Sequence, residues 1–507
     1  MKKLFSLRIA LLIATVLSAL IGCNDSGLKP KEKIDQPDLT VEEQKRLILL
    51  DTNYVYSLDA AKQDGAAVAA ELDTEDAKKG IKVIRSISEV KTYSILDTVL
   101  YPGAINRKND PGIYVFNFSN DNGFAIISGD ERIMGRLGWS GKGKLDNNPN
   151  PGVRVFLSRM IPYFQFKRKE VEAMRGDSTH ISLLKKLSKF KKQENNAASN
   201  GRVAQPCYQL RAGRTAVCAD GGCDKYTYSY QLSSTNTTNT VVPQILKTQW
   251  GQGPPYNNNF DNECAYQSSC SGYGNSNYSA GCVNVSEAQV VAHYYGIYNR
   301  ANDTDWQVIA NTSSACSLNP TQVDKVAWLI KDIFNQYPTY QTCGSGTATW
   351  NAAFYQTSDR GISARYELVQ GEWRDYNVGD LRNSIFNGSP VPVLASQHEW
   401  CVFFNFGCGP DLTTMHQWIL DGILTTNQIS TYAVFPVDYY NCAYLPSYTY
   451  TTNSVVNTYT HSNWGWAGYQ DGWYLESAFG DWDITHTYNV YSFNHNDKII
   501  AYVTKHP

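Results

Sequence analysis

Apolar and polar positions alternate over Ile113-Tyr114-Val115-Phe116-Asn117-Phe118, pause at Asp121-Asn122-Gly123, and resume over Phe124-Ala125-Ile126-Ile127-Ser128-Gly129-Asp130. Two strand-like runs around an Asn-Gly turn predict a hairpin, within a region (82–140) that carries strand-like material throughout. Over 151–185 the spacing changes. Val153, Val155, Phe156, Met160 and Ile161 fall near helical periodicity, which predicts a largely helical stretch. Lys186–Gln205 has no apolar period; it is basic, then small and polar, and reads as an exposed linker open to proteolysis. Further on, Val285, Ala288, Val291 and Ala292 form one apolar face of a helix expected to start at Cys282. His416 opens the apolar run Trp418-Ile419-Leu420, and Asp421-Gly422 predicts a turn at its end.

The N-terminus reads as an address. Met1-Lys2-Lys3 and Arg8 are followed by an apolar run, Ile9–Ile21, too short to span a bilayer comfortably but suited to a signal-peptide core. The run ends in Leu20-Ile21-Gly22-Cys23, and small residues before such a Cys resemble the bacterial lipoprotein signal. That resemblance implies that Cys23 receives lipid and becomes the mature N-terminus. The rest of the chain is then expected to be exported, tethered to the membrane through its lipid only.

Composition narrows the classes. Aromatic residues make up 13% of the 507, with 34 Tyr, which argues against a mostly disordered chain. A formal charge of −2 argues against a basic nucleic-acid binder. The charge is uneven: residues 1–200 hold 31 Lys+Arg against 24 Asp+Glu, and residues 201–507 hold 14 against 23. A basic front and an acidic back suggest two domains that attract each other. Of the 12 Cys, Cys23 belongs to the signal, and the other 11 (Cys207, Cys218, Cys223, Cys264, Cys270, Cys282, Cys316, Cys343, Cys401, Cys408 and Cys442) all follow residue 200. An odd number in an oxidising compartment suggests one thiol kept free for chemistry, with disulfides among the rest. No zinc-type spacing occurs, and neither a metal nor an organic cofactor is expected.

The strongest candidate for that thiol is Cys282, in Ser279-Ala280-Gly281-Cys282-Val283-Asn284-Val285-Ser286-Glu287-Ala288-Gln289. A Cys in the first turn of a helix has its thiolate favoured by the free N–H groups there. A nucleophile of this kind needs a base, an orienter for the base and donors for an oxyanion. His416-Gln417-Trp418-Ile419-Leu420-Asp421-Gly422, Asn463-Trp464-Gly465-Trp466-Ala467-Gly468 and Trp250-Gly251-Gln252-Gly253-Pro254-Pro255-Tyr256-Asn257 supply the residue types.

In that order these four segments resemble the W-[GN]-Q-x-x-P-[YF]-N, G-C-V-A-T-A-x-A-Q, H-[AS]-[FW]-[VI]-[VIL]-D-G and N-W-G-W-G-G motifs of the streptopain family of papain-like cysteine peptidases. Tyr114–Phe118, Gly123–Gly129 and Leu137–Ser140 resemble the prodomain pattern of the same family. The resemblance implies an α+β fold: a papain-like catalytic domain behind a smaller α+β prodomain. It implies Cys282 as nucleophile, His416 as general base and acid, and Gln252 with the Cys282 N–H as the oxyanion hole. Asn463 would accept from the His416 ring, and Trp464 would screen that bond. The implied domains are a signal peptide (1–22), a tether and first prodomain segment (23–81), an inhibitory prodomain (82–185), a cleavable linker (186–206) and the catalytic domain (207–507). The expected partners are protein or peptide substrates and the chain's own prodomain, with no nucleic acid.

Several positions depart from the family pattern. Asn284-Val285-Ser286-Glu287 stands where A-T-A is usual after Cys-Val, with Ser286 and Glu287 expected to face solvent, and Gln417 and Ala467 also differ. About Ile423–Thr460 is extra between His416 and Asn463 and reads as an inserted hairpin or loop. His461 is a competing base, two residues before Asn463; His293 reads as packed, His398 as a loop residue and Asp421 as a turn residue. Two other readings stand beside the peptidase: a catalytically silent surface-binding relative, and an amidase acting on cell-wall peptide.

Overall fold

The computed structural model describes residues 56–93, 112–183 (134, 147 and 148 aside), 227–298 (271 aside), 303–336, 341–343, 365–366, 368, 371–397, 414–438, 443–444, 449–479 and 499–504, with 40, 43 and 46 as isolated positions. The expected signal, Cys23, the linker 186–206, His398 and six of the cysteines (207, 218, 223, 401, 408 and 442) lie outside these residues.

The front half opens with α1 (Leu58–Lys78), capped by the Ser57 side chain, which accepts from the Ala60 N–H. Four antiparallel strands follow: β1 (Ile87–Tyr93), β2 (Ile113–Phe118), β3 (Phe124–Ser128) and β4 (Arg136–Ser140). The hairpin expected from the alternation is β2–β3. Its connection needs positive φ at Asn120, Asp121 and Gly123. Only glycine fits at 123, where a Cβ would lie 2.1 Å from the Ser140 carbonyl oxygen. Alternation alone would leave one face of β2 wet, yet all six of its residues are buried. Gly65 of α1 lies against Phe116 on one face. On the opposite face the Asn117 amide exchanges hydrogen bonds of 2.8 and 3.0 Å with the Leu145 backbone. Helix α2 (Pro151–Gly176) starts at an Asn150 cap and buries Val153, Val155, Phe156 and Met160, as their spacing predicts. It stops at Gly176, a second helical stretch covers 178–183, and the Ile161 side chain is outside the description.

The back half comprises β5 (Thr227–Val242), the β6 (Asn262–Cys270)–β7 (Tyr273–Asn277) hairpin, α3 (Cys282–Tyr298), α4 (Thr304–Ala310) and α5 (Pro320–Gln336). Then come β8 (Gly371–Asp375), α6 (Val378–Phe386), β9 (Val391–Gln397), β10 (Thr414–Asp438), β11 (Ala443–Tyr444), β12 (Thr449–Asn463), β13 (Gly472–Leu475) and β14 (Ile499–Thr504). The fold is therefore α+β, a mixture of helices and antiparallel sheet, as expected. One sheet runs β1-β2-β3-β4-β13-β12-β10-β9-β14-β8, with β5 and β11 also pairing with β10. It crosses from one half to the other where Gly138, Trp139 and Ser140 of β4 face Tyr474, Trp473 and Gly472 of β13.

Two expectations need correction here. Asp421-Gly422 is not a turn. β10 continues through it with a shift of register between Leu420 and Ile423, because β5 takes over from β9 as its neighbour there. The segment after Ile423 is accordingly strand: β10 and β12 extend together and β5 makes them a three-stranded ribbon, the hairpin form of the insertion. Helix α3 also differs from a one-faced amphipath. Its apolar Val285, Ala288, Val291 and Ala292 are buried as expected, but so are Asn284, Ser286, Glu287, Gln289 and His293.

The halves are joined by backbone pairing and by hydrogen bonds. Ser140 Oγ donates to the Asp471 carbonyl (2.6 Å), Lys142 Nζ to the Ala467 carbonyl (2.7 Å) and Gln470 Nε2 to the Lys144 carbonyl (2.7 Å); Gln470 Oε1 accepts from the Asn150 N–H (2.8 Å). Among the described residues, no helix is long and apolar enough to cross a membrane.

The junction itself is testable. A Cβ at Gly472 would lie 2.1 Å from the Trp139 carbonyl oxygen, so Gly472→Ala must push β4 off β13. The expected loss is roughly 1–3 kcal/mol, the usual cost of overpacking. Denaturant unfolding measures it, and unchanged stability would mean the strands are not paired this tightly.

Candidate active site

Gly281, at φ 87°, turns the chain into α3, and Cys282 is the first residue of the helix. The thiol is free and buried. Two disulfides frame the approach to it, Cys264–Cys343 and Cys270–Cys316, from the two ends of β6. Residue 343 also touches the lead-in segment, for Ser279 Oγ donates to the Cys343 carbonyl (3.3 Å) and the Ser279 N–H to the Thr342 carbonyl (3.0 Å). Burial raises the pKa of the thiol, with the nearby backbone N–H groups of Gln417, Val283 and Cys282 opposing it. The nearby Gln417 N–H places the sulfur beside the strand that carries His416.

His416 is completely enclosed on β10. Its ring lies parallel to the Trp418 indole at 6.3 Å and tilted against Trp464 at 6.4 Å. Nε2 is 2.9 Å from the Trp464 carbonyl, which accepts only, so Nε2 carries the proton. Burial pushes the imidazole down to about 4, the Trp464 bond opposing. Cys282 and His416 are therefore both neutral near pH 7 in this chain.

Gln252 is placed by its main chain, whose carbonyl accepts from the Ala280 N–H (2.9 Å) two residues before Cys282. Its side-chain amide is buried, and neither amide atom has a protein partner among the described residues. Asn463 departs from expectation. It does not hold the His416 ring; its Nδ2 donates to the Thr248 carbonyl (2.8 Å) and to Gln289 Oε1 (3.1 Å), while Oδ1 accepts from the Gly465 N–H (3.2 Å). The cause is Gln289 of α3, whose Oε1 also accepts from the Trp250 N–H (3.1 Å) and so ties the Gln252 loop, the helix and Asn463 together. Gln289 is a residue that the sequence reading passed over; the signal was a polar side chain set between Ala288 and Val290-Val291-Ala292. Trp464 packs near His416 as expected, its Nε1 donating to the Gln470 carbonyl (3.0 Å) and its ring lying against Gly152 of α2.

Residues 250–474 match the Peptidase C10 family, and residues 70–162 match the Spi protease inhibitor family. Residues 250–474 form a Peptidase C10 domain. A propeptide-like domain precedes it. Among solved structures, a mutant fragment of prointerpain A from Prevotella intermedia is similar, at 14% identity and a TM-score of 0.38, over 78% of this chain and 96% of that one. No curated protein matched.

Within the C10 domain the other described histidines, His461 and His293, are engaged elsewhere. His461 Nδ1 donates to Asp421 Oδ1 (2.6 Å), and Asp421 Oδ2 accepts from the Leu246 N–H (2.9 Å). His293 lies 3.4 Å from the Gly388 carbonyl, and burial lowers its pKa. Ser286 and Glu287 do not face solvent. Gln417 Nε2 donates to Ser286 Oγ (2.8 Å) and to Glu287 Oε1, so the departures on α3 meet the departure on β10. Burial pushes the Glu287 carboxyl up to about 8.

The His461–Asp421 pair predicts a pH signature. Burial disfavours the His461 cation, but the Asp421 charge and hydrogen bond outweigh it and raise the pKa. The pair's contribution is then complete below the unfolded histidine value of about 6.5 and fades as pH rises through the folded value. Asp421→Asn should cost about 3 kcal/mol at pH 6 and distinctly less at pH 9. Melting curves at the two pH values check this, and an equal loss at both would contradict it.

Proposed function

We propose that the chain is the zymogen of an exported cysteine endopeptidase that works through a Cys282–His416 dyad. The C10 and inhibitor matches support a peptidase with a propeptide, and the observation that carries the finer reading is the free thiol of Cys282 at a helix start, beside the His416 strand. The Cys282 sulfur attacks the scissile carbonyl. His416 takes the thiol proton and returns it to the leaving amine, and water then hydrolyses the thioester. The Gln252 amide and the Cys282 N–H receive the oxyanion; a buried amide without a protein partner suits that role. Asn463 acts one step back, holding the Gln252 loop and α3 through Gln289, and Trp464 covers the imidazole.

Residues 82–185 serve as inhibitor, preceded by a tether and first prodomain segment (23–81), and 207–507 as the catalytic domain. Cutting within 186–206 releases the inhibition. In the uncut chain β4 occupies the β13 edge, and Asn150 and Lys142 fasten the segment that follows Trp464. The signal at 1–22 and a lipid on Cys23 would place the zymogen on the outer membrane or cell surface of a bacterium, with protein or peptide substrates outside.

Incubated at neutral pH under mild reduction, the full chain should cut itself within 186–206 and then hydrolyse casein in an E-64-sensitive manner. Cys282→Ala should do neither, and self-cleavage by that variant at the same place would refute the proposal. Gln252→Ala should lower casein turnover by about 10²–10³-fold while iodoacetamide still labels Cys282. Full turnover in that variant would remove Gln252 from the oxyanion hole.

A further inference from the structure

The ribbon of β5, β10 and β12 lies largely outside the family pattern. β5 precedes the residues that match Peptidase C10, and Ile423–Thr460 is the extra segment between His416 and Asn463. Register assigns the residues at its base to faces. Leu424 pairs with Tyr459, and Thr426 pairs with Asn457 on one side and Thr238 on the other. Alternate residues of a strand share a face, so these side chains stand together on one face. Val456, on the opposite face of β12, is exposed.

The Thr238–Tyr459 face meets the propeptide-like half at an ion pair. Arg136 of β4 is buried and donates through both Nη atoms to the Glu71 carboxylate of α1, at 2.6 and 2.7 Å. The ribbon touches both members of the pair. Thr238 Oγ1 donates to Glu71 Oε2 (3.3 Å), and Tyr459 Oη donates to the Arg136 carbonyl (2.8 Å). The Tyr459 ring also meets the Trp139 ring at 63°, with centroids 4.7 Å apart, and the Arg136 guanidinium lies 5.6 Å from the Trp139 ring centre. Leu424 and Tyr459 are buried in one core with Leu137 and Trp139 of β4. These contacts are separate from the β4–β13 ladder, which joins residues 138–140 to 472–474. They attach the same domain a second time, through side chains.

Resting on the zymogen reading, we propose that the base of this ribbon is a docking surface for the chain's own propeptide-like domain, gripping its Glu71–Arg136 pair and slowing its departure once the linker is cut. Cutting within 186–206 makes release possible, and Thr238 and Tyr459 set its rate. The surface has a definite chemistry. Two hydroxyl donors meet two acceptors, a carboxylate and a backbone carbonyl, that flank one guanidinium, and the aromatic contact with Trp139 keeps water from both bonds.

The test uses the full chain carrying Cys282→Ala, so that no self-digestion follows, and a recognition sequence for a site-specific protease within 186–206. After the cut, native mass spectrometry on diluted protein follows the separation of the two fragments. Circular dichroism of the uncut chains checks folding. Tyr459→Phe and Thr238→Val each remove one hydroxyl and keep the side chain's outline. Each should speed separation about fivefold, the effect of losing one hydrogen bond. Val456→Ser, on the opposite face, should separate at the wild-type rate. Wild-type rates in both hydroxyl variants, or an equal acceleration by Val456→Ser, would overturn the proposal; should one hydroxyl variant not fold, the other decides alone. The same cut in chains that keep Cys282 distinguishes the two readings. Casein hydrolysis that appears as the fragments part, and sooner in the hydroxyl variants, supports both. Fragments that part at the expected rates without any hydrolysis uphold the docking surface and remove the peptidase reading.

Discussion

The pairing of β4 with β13 is the constraint on which the rest of the architecture depends. It is short, three residue pairs in all, yet it turns two separately matched domains into a single hydrogen-bonded sheet. β13 pairs with β12, and β12 pairs with β10, the strand that presents His416. The connection between β12 and β13 carries Trp464 to Asp471, and the propeptide-like half fastens it at Ala467, Tyr469, Gln470 and Asp471. Asp471 Oδ1 accepts from the Trp464 N–H, and the Trp464 carbonyl accepts from the His416 ring. The sheet edge and the imidazole are thus linked by consecutive hydrogen bonds, each buried in the C10 domain.

Burial sets the electrostatic state at the end of that chain of contacts. Desolvation raises the thiol pKa and lowers that of the imidazole, so neutral forms are favoured on both partners. A thiolate–imidazolium pair would need the solvent that this enclosed arrangement withholds. Part of the enclosure comes from the propeptide-like half: Gly152 of α2 lies against the Trp464 indole, where even a Cβ would overlap the ring. On the proposed zymogen reading, removing that half would uncover Trp464 and free the β13 edge together.

Local signals carried much of this into the sequence reading, and non-local ones did not. The Asn122-Gly123 turn and the helix start at Cys282 each depend on neighbours within a few residues, and Cys282 is the free thiol among the described cysteines. The β4–β13 junction joins residues more than 330 apart and depends on two glycines: Gly138 leaves room for the Tyr474 ring and Gly472 for the facing backbone of Trp139. Asp421-Gly422 carried a turn signature, but β5 and β12 extended the ladder past it, and tertiary pairing overrode local chemistry. Ser286 and Glu287 looked solvent-facing because Gln417, their partner, lies 130 residues away. Asn463 was placed in the right neighbourhood with the wrong partner, since nothing local marks Gln289 as its anchor.

The most direct measurement is the rate at which iodoacetamide modifies Cys282 as a function of pH, taken on the full chain and again after cleavage within 186–206. On this account the full chain reacts only along an alkaline limb, as a neutral buried thiol must. The cleaved protein gains a second, acid-side reactivity that extends to about pH 6, as imidazolium-paired thiolates do. Superimposable profiles before and after cleavage would contradict the claim that the propeptide-like half holds the thiol and imidazole in their neutral forms.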